Sequence, residues 1–193
     1  MLRFLLVALV VLAAWFFYEP SIEHGPGVLA PDDPIQVTPA DPTPFEFRDY
    51  SFEPLADFSL IARVLGRQTY RTGRESDLSP LDLALGWGRM SDSTVLEPFR
   101  FSQSSRWYRY KTSEWTISKT EVTRHSANMH MIPSTPEIDA KLDDIIVGQV
   151  ISLSGSLVRI EAKDGWKWKS SLTRSDDGAG SCEIIWVTDI QLR

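Results

Sequence analysis

The sequence predicts an α+β protein: one N-terminal transmembrane helix, then a mostly antiparallel β domain with two short helices. The C-terminal half of that domain is expected to be a small barrel or bent sheet of the OB or SH3 type. Three observations carry this reading. Phe4 to Tyr18 is an unbroken run of apolar and aromatic residues. Seven prolines crowd residues 19–46. Beyond them, period-two stretches separated by turn residues outnumber helical ones.

The fifteen residues of the apolar run would make a helix of roughly 22 Å. A hydrocarbon core is about 30 Å thick, and Met1, Leu2 and local thinning of the bilayer bring the two closer. Trp15, Phe16, Phe17 and Tyr18 close the run, and such rings favour the membrane–water interface. A cleaved signal peptide needs small residues just past the run, and Trp-Phe-Phe-Tyr-Glu-Pro offers none. Residues 1–18 are therefore expected to be an uncleaved signal anchor in the inner (cytoplasmic) membrane. Arg3 before the run, with Glu19 and Glu23 after it, sets the N-terminus inside and the domain in the periplasm or outside the cell.

Residues 19–46 read as an acidic, extended linker, because proline excludes helix interiors and central strands. The net charge of −6 belongs to this part of the chain. Residues 19–53 carry eight acids against Arg48 alone, Arg3 adds one positive charge, and residues 54–193 carry eighteen of each sign. A neutral domain has no electrostatic footprint for nucleic acid, so no nucleic-acid partner is expected.

The domain is expected over 47–193. Residues 57–70 place Phe58, Leu60, Ala62 and Val64 at period two and predict a strand. Ser79-Pro80-Leu81-Asp82 has the chemistry of a helix start, with Ser79 as cap and Asp82 on the dipole. Residues 105–111 and 115–124 read as strands. Thr135-Pro136 opens a second helix, with Ile138, Leu142, Ile145 and Ile146 at helical spacing. Residues 149–155, 156–163 and 166–173 follow as strands, the last two joined by an Asp164-Gly165 turn. A loop over 174–182 leads to a final strand over 183–192.

Few residues offer chemistry. Cys182 is the single cysteine, so no intrachain disulfide forms. A thiolate nucleophile needs a base or a cation beside it, and His130 and Arg174 are the candidates. His125 and His130 do not have metal-ligand spacing, and no metal or cofactor is expected. Arg106-Trp107-Tyr108-Arg109-Tyr110-Lys111 and Trp166-Lys167-Trp168-Lys169 alternate basic and aromatic residues, as half-buried strands do. Trp107 and Trp166 remain candidates for stacking on a glycan.

The order His130, a glycine-preceded strand, Cys182, then Arg193 resembles that of sortase transpeptidases, which also place a small β-barrel outside the membrane behind an anchor. The resemblance implies a thiol acyltransferase or hydrolase using Cys182 and His130. The Thr-Leu-x-Thr pattern that precedes the sortase cysteine is absent here.

A second resemblance rests on Asn128-Met-His130, on Gly148-Gln-Val-Ile-Ser-Leu-Ser-Gly155-Ser-Leu-Val158, and on Ser170-Ser-Leu-Thr-Arg174-Ser-Asp176-Asp-Gly178-Ala-Gly180-Ser-Cys182-Glu183. From Asn128 onward the chain is similar to a group of uncharacterised, membrane-anchored bacterial proteins. The resemblance implies the location and supplies no activity. It singles out Asn128, Asp176 and Glu183 as candidate binding residues. The expectation is a membrane-tethered accessory domain that binds an envelope protein or glycan, with the cysteine enzyme as the alternative.

Overall fold

The computed structural model of the protein describes residues 20–173 and 181–193. The apolar run over 4–18, Arg174 and Asp176 lie outside the described residues. Among the described residues no helix is long and apolar enough to cross a membrane. The chain is mostly β, with one mixed sheet, a separate two-stranded sheet and a few short helices.

The organising element is β3 (Tyr50–Thr69), in which buried and half-buried residues alternate along most of twenty positions. Along one edge it pairs antiparallel with β8 (Val150–Ala162), from Tyr50↔Ala162 to Arg63↔Val150. Along the other it meets β2 (Phe45–Phe47), β1 (Ile35–Val37) and then β4 (Leu81–Gly86). β4 continues to β7 (Ser126–Pro133). β8 takes the short strand β9 (Lys167–Lys169), where a strand over 166–173 was expected. β7 runs parallel to β10 (Glu183–Leu192), and β10 pairs antiparallel with β8. Because β8 also pairs with β3, the strands β3–β4–β7–β10–β8 close into a ring. Register shifts at Val64/Gly66, Pro54/Ala56 and Val187/Asp189 supply bends of the kind such closure needs.

The largest core cluster gathers alternate residues of these strands, among them Phe58, Leu60, Leu83, Met131, Leu153 and Ile185. Helix α3 (Pro136–Asp143) adds Ile138 and Leu142 to it. This helix starts as expected, with the Thr135 hydroxyl accepting from the Ile138 amide and Pro136 in the first turn. Two smaller clusters complete the core. One joins Phe52, Ile132, Ile160 and Ile184 to Trp166, Trp168 and Trp186. The other lies under residues 87–125, which hold α1 (Ser93–Leu96), the hairpin β5–β6 (Phe99–Ser104, Trp107–Thr112) and α2 (Lys119–His125).

Four expectations change. The helix expected at 79–85 is strand β4: β3 and β7 bond both its edges, and Leu81, Leu83 and Leu85 point into the core at period two. No strand forms over 115–124: residues 115–118 bend into helix α2, capped by the Ser118 hydroxyl on the Glu121 amide. The strands expected at 149–155 and 156–163 are the single strand β8, because Gly155 lies within continuous pairing to β3, with the register shift of β10 opposite it. The proline-rich segment lies along the barrel from residue 20 on, where a free spacer was expected. Ser21 bridges Val147, Ala30 is fully buried, and β1 and β2 are short edge strands of the kind proline tolerates.

A candidate polar site on the outer face of the barrel

Period-two geometry sends Leu81, Leu83, Met129 and Met131 inward, so Asp82 and His130 face outward. They are directly opposed in the β4–β7 ladder, with Asn128 opposite Ala84 one step along. The β5–β6 hairpin covers this face. Its turn residues Ser105 and Arg106 both take left-handed backbone, with φ of 52° and 67°. Side chains with a Cβ avoid that region. Ser104 pairs with Trp107, so this is a two-residue hairpin turn of the kind that needs positive φ at both central positions, and it carries the Arg106 side chain over the face below.

Asp82 is fully buried and is the hub. Arg106 Nη1 donates to Asp82 Oδ1 at 2.6 Å, and Nη2 donates to the Ser79 carbonyl at 2.9 Å. Asn128 Nδ2 reaches Asp82 Oδ2 at 3.4 Å and the Arg106 carbonyl at 3.2 Å, and Gln103 Nε2 donates to Asn128 Oδ1 at 2.7 Å. His130 Nδ1 lies 2.8 Å from Asp82 Oδ1, a close electrostatic approach without the alignment of a linear hydrogen bond. The ring therefore turns Nε2 away from the carboxylate. A buried carboxylate needs this much compensation.

Aromatic rings wall the cluster. The Arg106 guanidinium lies 4.0 Å from the Tyr70 ring centroid and 5.9 Å from that of Trp168. Trp168 is 5.0 Å from the His130 ring and 6.1 Å from Trp166. The Arg106 amide donates to the Tyr70 hydroxyl at 3.0 Å. Burial raises the Tyr70 phenol above its ordinary value, with the Asp82 charge adding to the effect. Arg74 extends the same pattern, 4.8 Å above Trp166 and paired with Asp164 at 2.7 Å.

The sequence candidates separate into groups. His130, Asn128 and Cys182 come together. Ile184 partners His130 in the parallel ladder, and Cys182 stands two residues before Ile184. Cys182 is half-buried, and its thiol faces the Arg106 carbonyl at 4.0 Å, a weak contact. Glu183 follows at once, is 1% exposed, and pairs with Met129 of the core. Trp166 lies beside Trp168 on the rim. Trp107, 41% exposed, follows the hairpin turn. His125 is elsewhere, its Nε2 3.8 Å from Asp33 Oδ1.

Asp82 and Arg106 were missed as site residues. Asp82 resembled a helix-start acid, and Arg106 looked like one of several cations on an alternating strand. Only the pairing of β4 with β7 makes Asp82 the neighbour of His130. Among the described residues no three His, Cys, Asp or Glu side chains converge as metal ligands. Neither family models, nor curated proteins, nor solved structures give a match to this chain.

Proposed function

We propose that this is a membrane-tethered binding domain, held outside the cytoplasm by residues 1–18, that takes a glycan of the cell envelope on the half-buried rings of Tyr70, Trp166 and Trp168, beside the part of the β4–β7 face that the β5–β6 hairpin covers. The observation that carries the reading is the ring-and-cation wall of Tyr70, Arg106, Trp168 and Trp166. The ring β3–β4–β7–β10–β8 has the strand order of a five-stranded barrel of the OB type, counted 1-2-3-5-4. Such barrels bind oligosaccharides or oligonucleotides over strands 2 and 3, between the 1–2 and 4–5 loops. Here residues 70–80 join the first two strands and residues 163–173 follow the fourth, and between them they carry Tyr70, Trp166 and Trp168. Residues 54–193 sum to zero charge, and Arg74 and Arg106 are already paired with acids. That balance favours sugar over a polyanion.

Titration of the protein with soluble cell-wall glycan fragments, read by tryptophan fluorescence, tests this. Binding is expected, and Trp168→Ala should weaken it by about 2 kcal/mol, as truncation of a tryptophan anchor does. An unchanged spectrum across the glycan series would sink the reading.

One observation favours a second reading, thiol acyl transfer or hydrolysis. Cys182 is partly exposed and stands two residues before Ile184, the ladder partner of His130, whose Nδ1 lies 2.8 Å from a buried aspartate. That is how a base is oriented for a nucleophile. Alkylation of Cys182 across pH decides it. An apparent pKa well below ~8.5 that returns toward that value in His130→Ala is the expected result for a nucleophile. A slow, pH-independent reaction would remove this reading and leave the binding domain.

A further inference from the structure

The β5–β6 hairpin has two unlike faces. Phe99, Phe101, Tyr108 and Tyr110 pack toward the core cluster beneath it. Arg100, Ser102, Arg109 and Lys111 face away and are exposed. Arg100 stands directly opposite Lys111, and Arg109 opposite Ser102. Like charges directly opposed across strands repel and destabilise the pair. Among the described residues no acid lies within salt-bridge distance of any of the three. Arg100 donates only to the carbonyls of Glu97 and Phe99, at 2.9 and 2.7 Å. In a domain whose charges sum to zero, this face is a local excess of cations. At its base Trp115, 55% exposed, stands edge-on to Phe99 and Tyr110.

The hairpin base is close to where the described chain begins. Arg100 lines one cleft with Glu23, His24 and Pro26. That segment is fixed to the barrel, with Ile22 N donating to the Val147 carbonyl at 2.8 Å and His24 Nε2 2.8 Å from the Gly148 carbonyl. Tyr18, the last residue of the apolar run, precedes Pro20 by two residues, a reach of at most ~7 Å.

We propose that the outer face of the β5–β6 hairpin, through Arg100, Arg109, Lys111 and Trp115, rests on the anionic headgroups of the bilayer that holds residues 4–18. The inference rests on the membrane reading above. The cations meet lipid phosphate, and the Trp115 ring takes the interfacial position such rings favour. The like-charge pair then has its counter-charge in the membrane.

The test uses the full chain in phosphatidylcholine vesicles with and without phosphatidylglycerol, read by backbone hydrogen exchange. Residues 107–115 should exchange more slowly on the anionic vesicles alone, and high salt should abolish the difference. Neutralising one cation should weaken the contact about fivefold. The triple variant R100Q/R109Q/K111Q should lose the protection while β3 keeps its own, which shows that the barrel is intact. Equal exchange on both vesicle types, with the chain incorporated in each, overturns the proposal and leaves the anchor standing. A chain that leaves both vesicle types under alkaline carbonate extraction overturns the anchor and the proposal with it.

Discussion

Tyr108 is fixed on the underside of the hairpin, its hydroxyl 3.2 Å from Ser126 Oγ. Burial pushes its phenol well above the ordinary value, and the hydrogen bond to Ser126 only partly offsets this. The sign follows from the protonated form being the one the fold holds. The associated stability is complete below the unfolded phenol pKa of about 10, and it is lost as pH rises from there through the folded pKa. Urea unfolding at about pH 8 and about pH 11 should show a larger alkaline loss in the native chain than in Tyr108→Phe. At this scale the sequence was half legible. Asn128, His130 and Cys182 stood out because their residue types are rare or chemically active. Asp82 did not, because an acid two residues after a proline looks the same on a helix and on a strand. Its burial depends on the β5–β6 hairpin and on β7, which lie outside that local pattern.

Among the elements, the segment over 20–47 departs most from expectation. Proline composition correctly excluded helix and central strand. It said nothing about edge pairing, and β1 and β2 attach to the edge of β3 that β4 leaves unpaired. Gly148 is the point of attachment at the start of the segment. Its φ is +87°, and a Cβ there would lie 2.0 Å from the Ile22 carbonyl oxygen. Gly148→Ala therefore both strains the backbone and blocks docking, at a local cost of about 1–3 kcal/mol. The expected outcome is faster amide exchange at Ile22 and protease cleavage within 20–34, with exchange in β8 unchanged. Retained protection at Ile22 would show that the segment docks by other contacts. Where local chemistry was unambiguous, as at Thr135-Pro136 and over 183–192, the sequence was enough. It failed at 79–85 and 115–124, where both a strand and a helix satisfied the local pattern and long-range pairing made the choice.

The whole molecule was legible as mostly β, because alternation and turn residues recur along it. A barrel or bent sheet was expected of its C-terminal half alone, and the ring takes β3, β4 and β7 as well. Its closure was not legible. No local signal states that β8 must pair with β3, about a hundred residues earlier, or that β7 and β10 run parallel. The pairing of β3 with β8 also governs how this chain acquires its structure. Pairings between distant segments are slow to form, because the loop must close before any contact rewards it. β3 carries the first half of the barrel wall, yet one of its edges has no partner until residues 150–162 arrive. The ring itself waits for β10. A chain made from its N-terminus passes through a long interval as an open, aggregation-prone sheet of β3, β4 and β7. Edge strands β1 and β2, contributed early and held by short local connections, cover the rest of the other edge of β3, beside β4, so that only the edge awaiting β8 stays open during that interval. The proline-rich segment is thus in place to act as a folding guard before it is a structural strap.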